Sequence, residues 1–515
     1  MADVRQCDVL IVGAGPTGLV LALWLARAGI RVRIIDKTAV PGTTSRAIVF
    51  HARNLELYQQ LGIAQLAVQG GDPFTDANIW VGGRRVAAIP FGRAGEGVSP
   101  YPFMLIFPQD RQEDLLISQL ALLDVHVERE TALVSFVQGT DGVHASLKNA
   151  HGIETIDARY IGGCDGARST VREILGTEFT GGTYNHVFYV ADLEATGPVV
   201  DGRMHGALDD ADFLAIFPMR GEGRVRVVGA VQRAVADTAS LGWSDVSGHI
   251  AERLQLSAVH VRWFSTYRVH HRVAESFRRD RVFLLGDAAH IHSPVGGQGM
   301  NTGIGDAVNL AWKLAAVLRG EASESVLATY ETERMPFARR LVATTDRAFE
   351  FVSARGRIAT RVRVTVAPLV LPMLFRFSAM RRFMFRLLSQ TAINYRASAL
   401  SSGRAGRIHG GDRLPWVPAA CTGADDNYAP LTSRQWQLHV YGVATEATRE
   451  IAQRIGLTLH VLPWVPAAAR ARFEENTAYV VRPDGYVGMI VPQSRAADIE
   501  DYIVSHGLRI HSATS

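Results

Sequence analysis

The sequence predicts an α/β protein with several domains, and three observations lead to this prediction. The first 36 residues read as a βαβ unit with a glycine-rich turn. A second strand, glycine-rich loop and helix follow near residue 290, and alternating strand-like stretches lie between the two. With 515 residues, of which 47% are hydrophobic and 20% charged, the chain has the composition of a compact globular protein but is too long for a single core.

The composition and the cysteines argue against several classes of protein. Lys and Arg number 54 against 50 Asp and Glu, and no basic run is interleaved with aromatic residues, so we expect no nucleic-acid partner. Cys7, Cys164 and Cys421 are far apart and odd in number, which indicates neither a disulfide framework nor a metal site. Without a signal-peptide layout or an apolar run long enough to span a bilayer, we expect a cytoplasmic protein with no stable membrane insertion.

The N-terminal stretch CDVLIVGAGPTGLVLALWLARAGIRVRIIDK predicts a dinucleotide site. Gly13 permits the tight turn, Gly15 lets the backbone approach a pyrophosphate, and Gly18 allows the helix to pack on the strand. Asp36, at the end of the second strand, is placed for a ribose hydroxyl. The expected dinucleotide contacts are Gly13, Gly15, Pro16, Thr17, Gly18, Asp36 and Lys37. This motif alone does not distinguish FAD from NAD(P), because both contain the same ADP half.

The later stretch RVFLLGDAAHIHSPVGGQGMN favours FAD. It reads as a strand (282–285), a glycine-rich loop and a helix from about Asn301. A second loop of this kind is not needed for one ADP, but it suits a ligand with a ribityl chain and an isoalloxazine ring. Gly286 and Asp287 are placed for the polyol, and the backbone amides around Gly299, Met300 and Asn301 for the pyrimidine oxygens of the ring.

These motifs resemble the class A flavoprotein aromatic hydroxylases, the para-hydroxybenzoate hydroxylase-like FAD monooxygenases. The resemblance covers roughly residues 5 to 400 and rests on GAGPTG with Asp36, on YIGGCDGARSTVR (160–172) with Asp165, and on GDAAH…P…GQGMN. It implies two further FAD contacts, Arg46 in SRAIVFHARNLELYQQLG and Gln109 in FPQDRQEDLL.

Other readings of these residues stay open. Asp165 and Arg168 are equally well explained as a structural turn with its ion pair. His290 and His292 lack a further ligand set at metal-site spacing, so we expect no metal and assign His290 to orienting the loop or the flavin. For Pro294, the resemblance implies a place beside the reacting substrate, with its carbonyl accepting from a phenolic hydroxyl.

The remaining chain predicts three more units. Strand-like stretches at 76–91, 186–195 and 212–232 predict an antiparallel sheet, which the resemblance implies is the substrate domain. Residues 346–400 are helical in pattern and rich in arginine; we favour a packed helical layer over a membrane-surface helix, because Pro368 and Pro372 would interrupt the latter. After a Gly- and Ser-rich linker (401–415), a βαβ and ββα order looks like the thioredoxin-like C-terminal domain of some members of this family.

We therefore predict an α/β fold with a Rossmann-type (GR2-like) FAD-binding domain, an antiparallel-sheet substrate domain, a helical segment and a thioredoxin-like C-terminal domain. The predicted parts are 1–75, 108–180 and 271–345 for the FAD-binding domain, 76–107 and 181–270 for the substrate sheet, 346–400 for the helical segment and 401–515 for the C-terminal domain. The last has no CxxC, and Cys421 stands alone, so we expect it to serve homodimer contact or support and not redox chemistry.

The resemblance implies an FAD-dependent monooxygenase that uses NAD(P)H and O2 to hydroxylate a phenolic or polyketide-type aromatic substrate through a C4a-hydroperoxyflavin. No second GxGxxG is present, which agrees with a cosubstrate, NAD(P)H, that binds without a Rossmann domain of its own. Baeyer–Villiger or another oxidation on the same fold is an alternative, and so is a non-catalytic flavin-binding regulator. Halogenation is disfavoured because the WxWxIP motif is absent.

Overall fold

The structure is a computed structural model of the full chain. It describes residues 5–42, 47–74, 76–90, 94–207, 214–232, 241–294, 296–353, 362–420 and 425–510. Arg46 and Cys421 lie outside these ranges, so the prediction made for each stays a prediction. Among the described residues, Cys7 and Cys164 are buried free thiols.

The first sheet has eight strands and carries the glycine-rich motifs. Its strands are β1 (Arg5–Val12), β2 (Val32–Ile35), β8 (Val127–Glu128), β9 (Ala132–Gln138), β10 (Val143–Asn149), β11 (Gly152–Gly163), β17 (Arg278–Arg279) and β18 (Val282–Leu284). The order is β17-β18-β11-β1-β2-β8, with β10 paired to β11 and β9 to β10. β1, β11 and β18 are parallel neighbours, so their carboxyl ends meet at one edge of the sheet.

The second sheet also has eight strands. These are β5 (Asp76–Val81), β6 (Arg84–Pro90), β12 (Phe179–Thr196), β13 (Met204–Ala207), β14 (Leu214–Pro218), β15 (Arg224–Gln232), β16 (Ser257–Ala274) and β19 (His290–Ile291). The order is β19-β16-β12-β15-β14-β13-β5-β6, and the pairings are antiparallel except for β13 with β5. The predicted antiparallel sheet is therefore present. Its edge strand β19 belongs to the second glycine-rich loop, which thus joins the two sheets.

Smaller sheets complete the strand set. A three-stranded sheet contains β3 (Val49–Phe50), β4 (Asp72–Phe74) and β7 (Met104–Ile106), and a short hairpin contains β20 (Arg404–Ala405) and β21 (Ile408–His409). The C-terminal sheet contains β22 (Gln437–Tyr441), β23 (Thr458–Leu462), β24 (Thr477–Val481) and β25 (Val487–Pro492), in the order β23-β22-β24-β25. Its βαβ and ββα order is the predicted one, whereas its assignment as a thioredoxin-like domain stays a prediction.

Thirteen α-helices are described. They are α1 (Pro16–Arg27), α2 (Ala52–Gln60), α3 (Ala64–Gly70), α4 (Gln109–Ala121), α5 (Thr170–Leu175), α6 (Trp243–Leu254), α7 (Gln298–Leu318), α8 (Ala328–Ser353), α9 (Ala367–Leu374), α10 (Ser378–Leu388), α11 (Glu446–Ile455), α12 (Pro466–Arg470) and α13 (Asp498–Ser505). In the described part of 346–400, α8 ends at Ser353, a π-helical turn spans Val362–Val366, and α9 and α10 are two short helices. Within the described ranges, no helix is both long and apolar enough to cross a membrane.

The C-terminal sheet packs directly on the first domain. One hydrophobic core contains residues of both, and the rings of Trp312 on α7 and Trp436 before β22 meet edge to face at 5.7 Å. The segment 401–415, which we predicted to be a linker, is bound to β25: the Ser402 amide donates to the Gly488 carbonyl at 2.9 Å and the Gly411 amide to the Val487 carbonyl at 2.6 Å. The glycines of this segment therefore allow close packing against a strand, whereas its role as the connection to the C-terminal domain stays a prediction.

Candidate functional site

The first glycine-rich loop leaves β1 at the shared sheet edge and has three glycines with different surroundings. Gly13 has a left-handed φ of 103°, and a Cβ there would overlap the carbonyl of Cys164, which follows β11. A Cβ on Gly18 would overlap the Gly13 carbonyl oxygen. A Cβ on Gly15 would meet nothing within 4 Å. Gly13 and Gly18 are thus needed for packing, whereas Gly15 borders open space at the N-terminus of α1, where an anionic group can approach the backbone.

Asp36 follows β2 and faces this loop. Its Oδ2 accepts from the Ala14 amide at 2.8 Å, and its Oδ1 accepts from the Thr38 amide at 2.8 Å. The carboxylate is half-buried, whereas Lys37 is exposed to solvent. The structure therefore brings Asp36 beside the glycine turn, as a ribose contact requires, and leaves Lys37 at the rim.

Thr17 connects the two glycine-rich loops. In the second loop, a Cβ on Gly286 would lie 2.7 Å from Thr17 Oγ1, and a Cβ on Gly303 of α7 would overlap the same hydroxyl. Both positions therefore need glycine because the Thr17 side chain lies between them. Since the loops begin on parallel strands separated only by β11, they form one continuous surface.

Asp306 on α7 binds two residues of the second glycine-rich loop and holds the loop in place. Its Oδ2 accepts from the Gly286 amide at 3.0 Å and contacts His290 Nε2 at 2.7 Å, and its Oδ1 accepts from Arg334 Nε at 2.6 Å. Burial would raise the pKa of Asp306, but the positive charges of Arg334 and His290 outweigh it and lower that pKa. Asp287 is exposed between buried neighbours, so its carboxylate faces outward from a loop held in place by Asp306.

The first turn of α7 faces the same side of the site. The helix begins at Gln298, three residues before the predicted start, with Gly297 as its N-cap at a left-handed φ of 62°. Because the first amides of a helix have no intrahelical acceptor, those of Gly299 and Met300 are available to a ligand. The Asn301 side chain is used internally: its Nδ2 donates to the Val49 carbonyl and its Oδ1 accepts from the His51 amide.

A histidine lies beside this helix start. His292 Nδ1 is 2.8 Å from the Ser293 carbonyl, so Nδ1 carries the proton and Nε2 is an acceptor. Nε2 is buried and has no hydrogen-bond partner among the described residues. It lies 3.9 Å from the point where a Cβ on Gly299 would be. Burial lowers the pKa of His292 to about 4, so the ring is neutral near pH 7.

Asp165 accepts hydrogen bonds from residues that lie close to it in the chain. Its Oδ1 accepts from Ser169 Oγ at 2.5 Å and its Oδ2 from the Val171 amide at 3.1 Å, at the start of α5. Arg168, its alternative ion-pair partner, is exposed. Arg172 links the motif to the second loop, because its Nη1 donates to the Ala288 carbonyl at 2.8 Å.

Gln109 and Pro294, two further predicted site residues, have hydrogen-bond partners among the described residues. Gln109 starts α4; its amide donates to the Ala47 carbonyl at 3.2 Å and its Nε2 donates to Glu113 Oε1 at 2.8 Å. The Pro294 carbonyl accepts from the Gly297 amide at 3.0 Å. A carbonyl has two lone pairs, so this turn leaves Pro294 able to accept a second hydrogen bond.

An apolar cluster lies next to the α7 start. Its buried members are Ile48, Val49, Phe74, Met104 and Ile106, and the half-buried Met204, Phe217, Met219 and Leu388 pack against them. A Cβ on Gly297 would lie 3.0 Å from Val49 Cβ, so the cluster adjoins the N-cap of α7. Met204 and Phe217 come from the second sheet, which places this apolar surface between the two domains.

Sequence analysis did not single out Asp306, Arg334 or Arg172. One signal was available in the sequence, because the polar residues Asp306, Asn309 and Lys313 recur at helical spacing among apolar neighbours. The structure buries all three side chains, and buried polar groups require partners. The identity of their partners on α8 could not be found from the sequence.

Two glycine-rich loops at one edge of a parallel sheet, with open space over Gly15 and a second helix terminus on the same surface, define a flavin-dinucleotide-binding protein. Residues 6–345 match the FAD binding domain family, and the chain belongs to it. It is 34% identical over 485 residues to the 6-methylpretetramide 4-monooxygenase of Streptomyces rimosus, a match that covers 89% of this chain and 83% of that protein.

Two further comparisons agree. The pentachlorophenol 4-monooxygenase of Sphingobium chlorophenolicum is 34% identical over 381 residues, 70% of this chain and 68% of that protein. The solved structure of an anhydrotetracycline hydroxylase from Streptomyces rimosus aligns with a TM-score of 0.78 at 28% identity, and covers 98% of this chain and 99% of that one. The protein is an FAD-dependent monooxygenase of the aromatic-hydroxylase class, whose members take electrons from NAD(P)H.

Proposed function

We propose that this protein hydroxylates a polycyclic, polyketide-type aromatic substrate with NAD(P)H and O2. The observation that carries the proposal is the contact between the N-cap of α7 and the apolar cluster at Val49. A ring held on that cluster would lie over the amides that we assign to the flavin. The similarity to enzymes named for pretetramide and anhydrotetracycline supports a polycyclic substrate class.

The geometry of the two loops supports a set of proposed cofactor contacts. We assign the pyrophosphate to the α1 terminus at Gly15, the adenosine ribose to Asp36 and the ribityl chain to Asp287. The amides of Gly299 and Met300 would bind the pyrimidine end of the ring, where the helix dipole favours negative charge. Arg46, Gln109 and Asp165 stay proposed contacts of the same cofactor, with Asp165 also stabilising the start of α5.

Bound FAD, once reduced by NAD(P)H, activates O2 for transfer of one oxygen atom to an electron-rich ring. The chain itself has to position that ring and exclude water. The Pro294 carbonyl would accept from the hydroxyl of the substrate through its second lone pair, and neutral His292 offers Nε2 as an acceptor over Gly299. His290, bound to Asp306, keeps the loop in the conformation that presents Pro294.

The side chains of the apolar cluster support the proposal of a bulky substrate over that of a single small ring. Met104, Met204 and Met219 are unbranched side chains that adapt to irregular shapes, and Phe217 supplies an aromatic face. A site between domains also suits closure over the ligand, which protects reactive intermediates from water.

The test measures the rate at which the FAD-loaded enzyme consumes NAD(P)H, first in the presence of polycyclic phenols and then in the presence of monocyclic phenols. We expect accelerated consumption and a product enlarged by one oxygen atom for the polycyclic set. A product with oxygen inserted into a ring, identified by mass spectrometry and NMR, would replace hydroxylation by a Baeyer–Villiger reaction. No acceleration with any aromatic compound, despite bound FAD, would favour a flavin-binding regulator.

We also infer a cytoplasmic location. Cys7 and Cys164 are free buried thiols, which agrees with a reducing compartment. The need for a supply of NAD(P)H agrees with this location.

A further inference from the structure

A wide basic cleft lies between α10, the segment after it and the C-terminal domain. Its volume is about 730 Å³, and among the described residues that line it are seven arginines but only two carboxylates. We call it the arginine cleft. Arg382 and Arg386 come from α10, whereas Arg470 and Arg472 come from the C-terminal domain, so two separate parts of the chain contribute positive charge to the cleft.

Most of these arginines lack an acidic partner. Arg396 binds Asp412 at 2.6 Å and Arg413 binds Glu56 at 3.0 Å. The remaining five have no carboxylate within 4 Å in the part of the chain that the structure describes; they are Arg382, Arg386, Arg407, Arg470 and Arg472. Like charges gathered in this way repel one another, and an anion that neutralises them gains the energy that the repulsion costs.

The charges of the arginine cleft affect one another at Arg386. Burial lowers the pKa of Arg386, and the neighbouring positive charges of Arg413 and Arg382 lower it further.

The cleft adjoins the proposed flavin site. Gln298, the first residue of α7, donates from Nε2 to the Leu388 carbonyl at 3.0 Å, and Gln390 donates to Gln298 Oε1 at 2.8 Å. Thr391 and Ala392, the next residues of the chain, line the cleft. The segment that contacts the start of α7, which we assign to the flavin ring, therefore continues directly into the lining of the arginine cleft.

We propose that the arginine cleft binds the phosphate groups of the hydride donor and selects NADPH over NADH. This inference rests on the proposed function, which requires a dinucleotide that carries a diphosphate. The guanidinium fork matches phosphate oxygens in a bidentate manner. Five arginines without acidic partners exceed what the two phosphate groups of a single diphosphate need, and the 2′-phosphate of NADPH supplies a third group. The sequence has no second GxGxxG turn that could bind the diphosphate of the hydride donor elsewhere.

The experiment measures binding of NADP⁺, NAD⁺ and inorganic pyrophosphate to the FAD-loaded enzyme by calorimetry, which needs no turnover. The variant combines Arg382→Ala, on α10, with Arg472→Ala, in the C-terminal domain. The matched control is Arg376→Ala, an exposed arginine of the same helical segment that does not line the cleft. We expect the double variant to bind NADP⁺ about tenfold more weakly, NAD⁺ with a smaller loss, and the control to bind as the parent does.

Added salt should weaken NADP⁺ binding to the parent more than to the double variant, because fewer charges remain to be screened. Equal NADP⁺ affinity in the parent and the double variant would overturn the inference. A loss of affinity for aromatic ligands alone, or pyrophosphate binding that NADP⁺ does not displace, would also overturn it by assigning the cleft to another anion. Failure of the proposed function would appear separately, as absence of an oxygenated product in the parent enzyme.

Discussion

Arg482, in the turn between β24 and β25, donates from Nη1 and Nη2 to the carboxylate of Glu333 on α8 at 2.7 and 2.9 Å, and both side chains are fully buried. Lys313 of α7 binds the same carboxylate at 2.8 Å, and Asp484 binds Arg482 at 2.7 Å. The C-terminal domain thus reaches into the layer of α7 and α8. Because Arg334, the residue after Glu333, holds Asp306, the domain supports the second glycine-rich loop from behind.

Breaking this network should destabilise the protein strongly. Glu333→Ala leaves two buried cations, Lys313 and Arg482, with Asp484 as the remaining acid, and removing one partner of a buried pair costs about 3–5 kcal/mol. Urea unfolding measures this loss. Arg396→Ala, which breaks an exposed pair with Asp412, is the control and should change the free energy of unfolding by less than about 1 kcal/mol. Equal effects of the two changes would show that the buried network contributes no more than a surface pair.

Gly15 and Gly18 should respond differently to the same substitution. Gly15→Ala adds a Cβ in open space at an ordinary φ of −78°, so the unfolding temperature without FAD should stay unchanged while FAD affinity falls, because the methyl group blocks the phosphate approach. Gly18→Ala places a Cβ against the Gly13 carbonyl and should cost about 3 kcal/mol of stability. Thermal unfolding and flavin titration measure the two effects; normal FAD binding by Gly15→Ala contradicts the assigned approach.

Asp287→Ala should weaken FAD binding by roughly one to two orders of magnitude. Loss of a charge-assisted hydrogen bond to the ribityl chain costs about 1.5 to 3 kcal/mol. Equilibrium titration of the flavin-free protein with FAD measures the change. Asp501→Ala, at an exposed position of α13 far from both loops in the chain, is the control. Unchanged flavin occupancy in Asp287→Ala would refute the assignment of this carboxylate.

Pro294→Ser should retain FAD but uncouple the reaction. The Pro294 carbonyl already accepts from the Gly297 amide, so a freer serine backbone should change the direction of its second lone pair and misplace the substrate ring. We expect slower hydroxylation and more hydrogen peroxide. The ratio of hydroxylated product to NAD(P)H consumed is the readout; if both this ratio and the rate are unchanged, the proline only shapes the loop.

Acid should destabilise the protein through three buried histidines. Burial lowers the pKa of His51 and His292 to about 4 and that of His439 to about 3, below the ordinary 6.5. The unfolded chain therefore binds these protons first, so stability present above pH 6.5 is lost as the pH falls toward 4. The loss is about 1.4 kcal/mol per pH unit for each histidine.

Urea unfolding between pH 7 and pH 5 measures this slope. His439→Gln should reduce it by about a third, because one of three equivalent contributions is removed. His126→Gln, at an exposed position, should leave it unchanged. An identical slope in His439→Gln and the parent protein would contradict a neutral buried His439.

The glycine-rich loops could be predicted from the sequence because their requirements are local. Gly13 needs a left-handed backbone and Gly18 a missing side chain within a few residues of the turn, and such requirements are visible in a short motif. The antiparallel sheet could likewise be predicted from its alternating strands, although the sequence analysis did not predict β16. The start of α7 was predicted three residues late, because its N-cap is a glycine and not a Ser, Thr or Asp.

The partners across the fold were decided by tertiary packing alone. No local pattern indicates that Thr17 fills the space at Gly286, that Asp306 joins His290 to Arg334, or that Arg482 reaches Glu333 across 149 residues. The segment 401–415 illustrates the same limit: its glycines read as a linker, but they allow close packing on β25. Such contacts depend on which surfaces meet after the sheets and helices have formed, since a buried charge or a close backbone approach is stable only when its particular partner is in place.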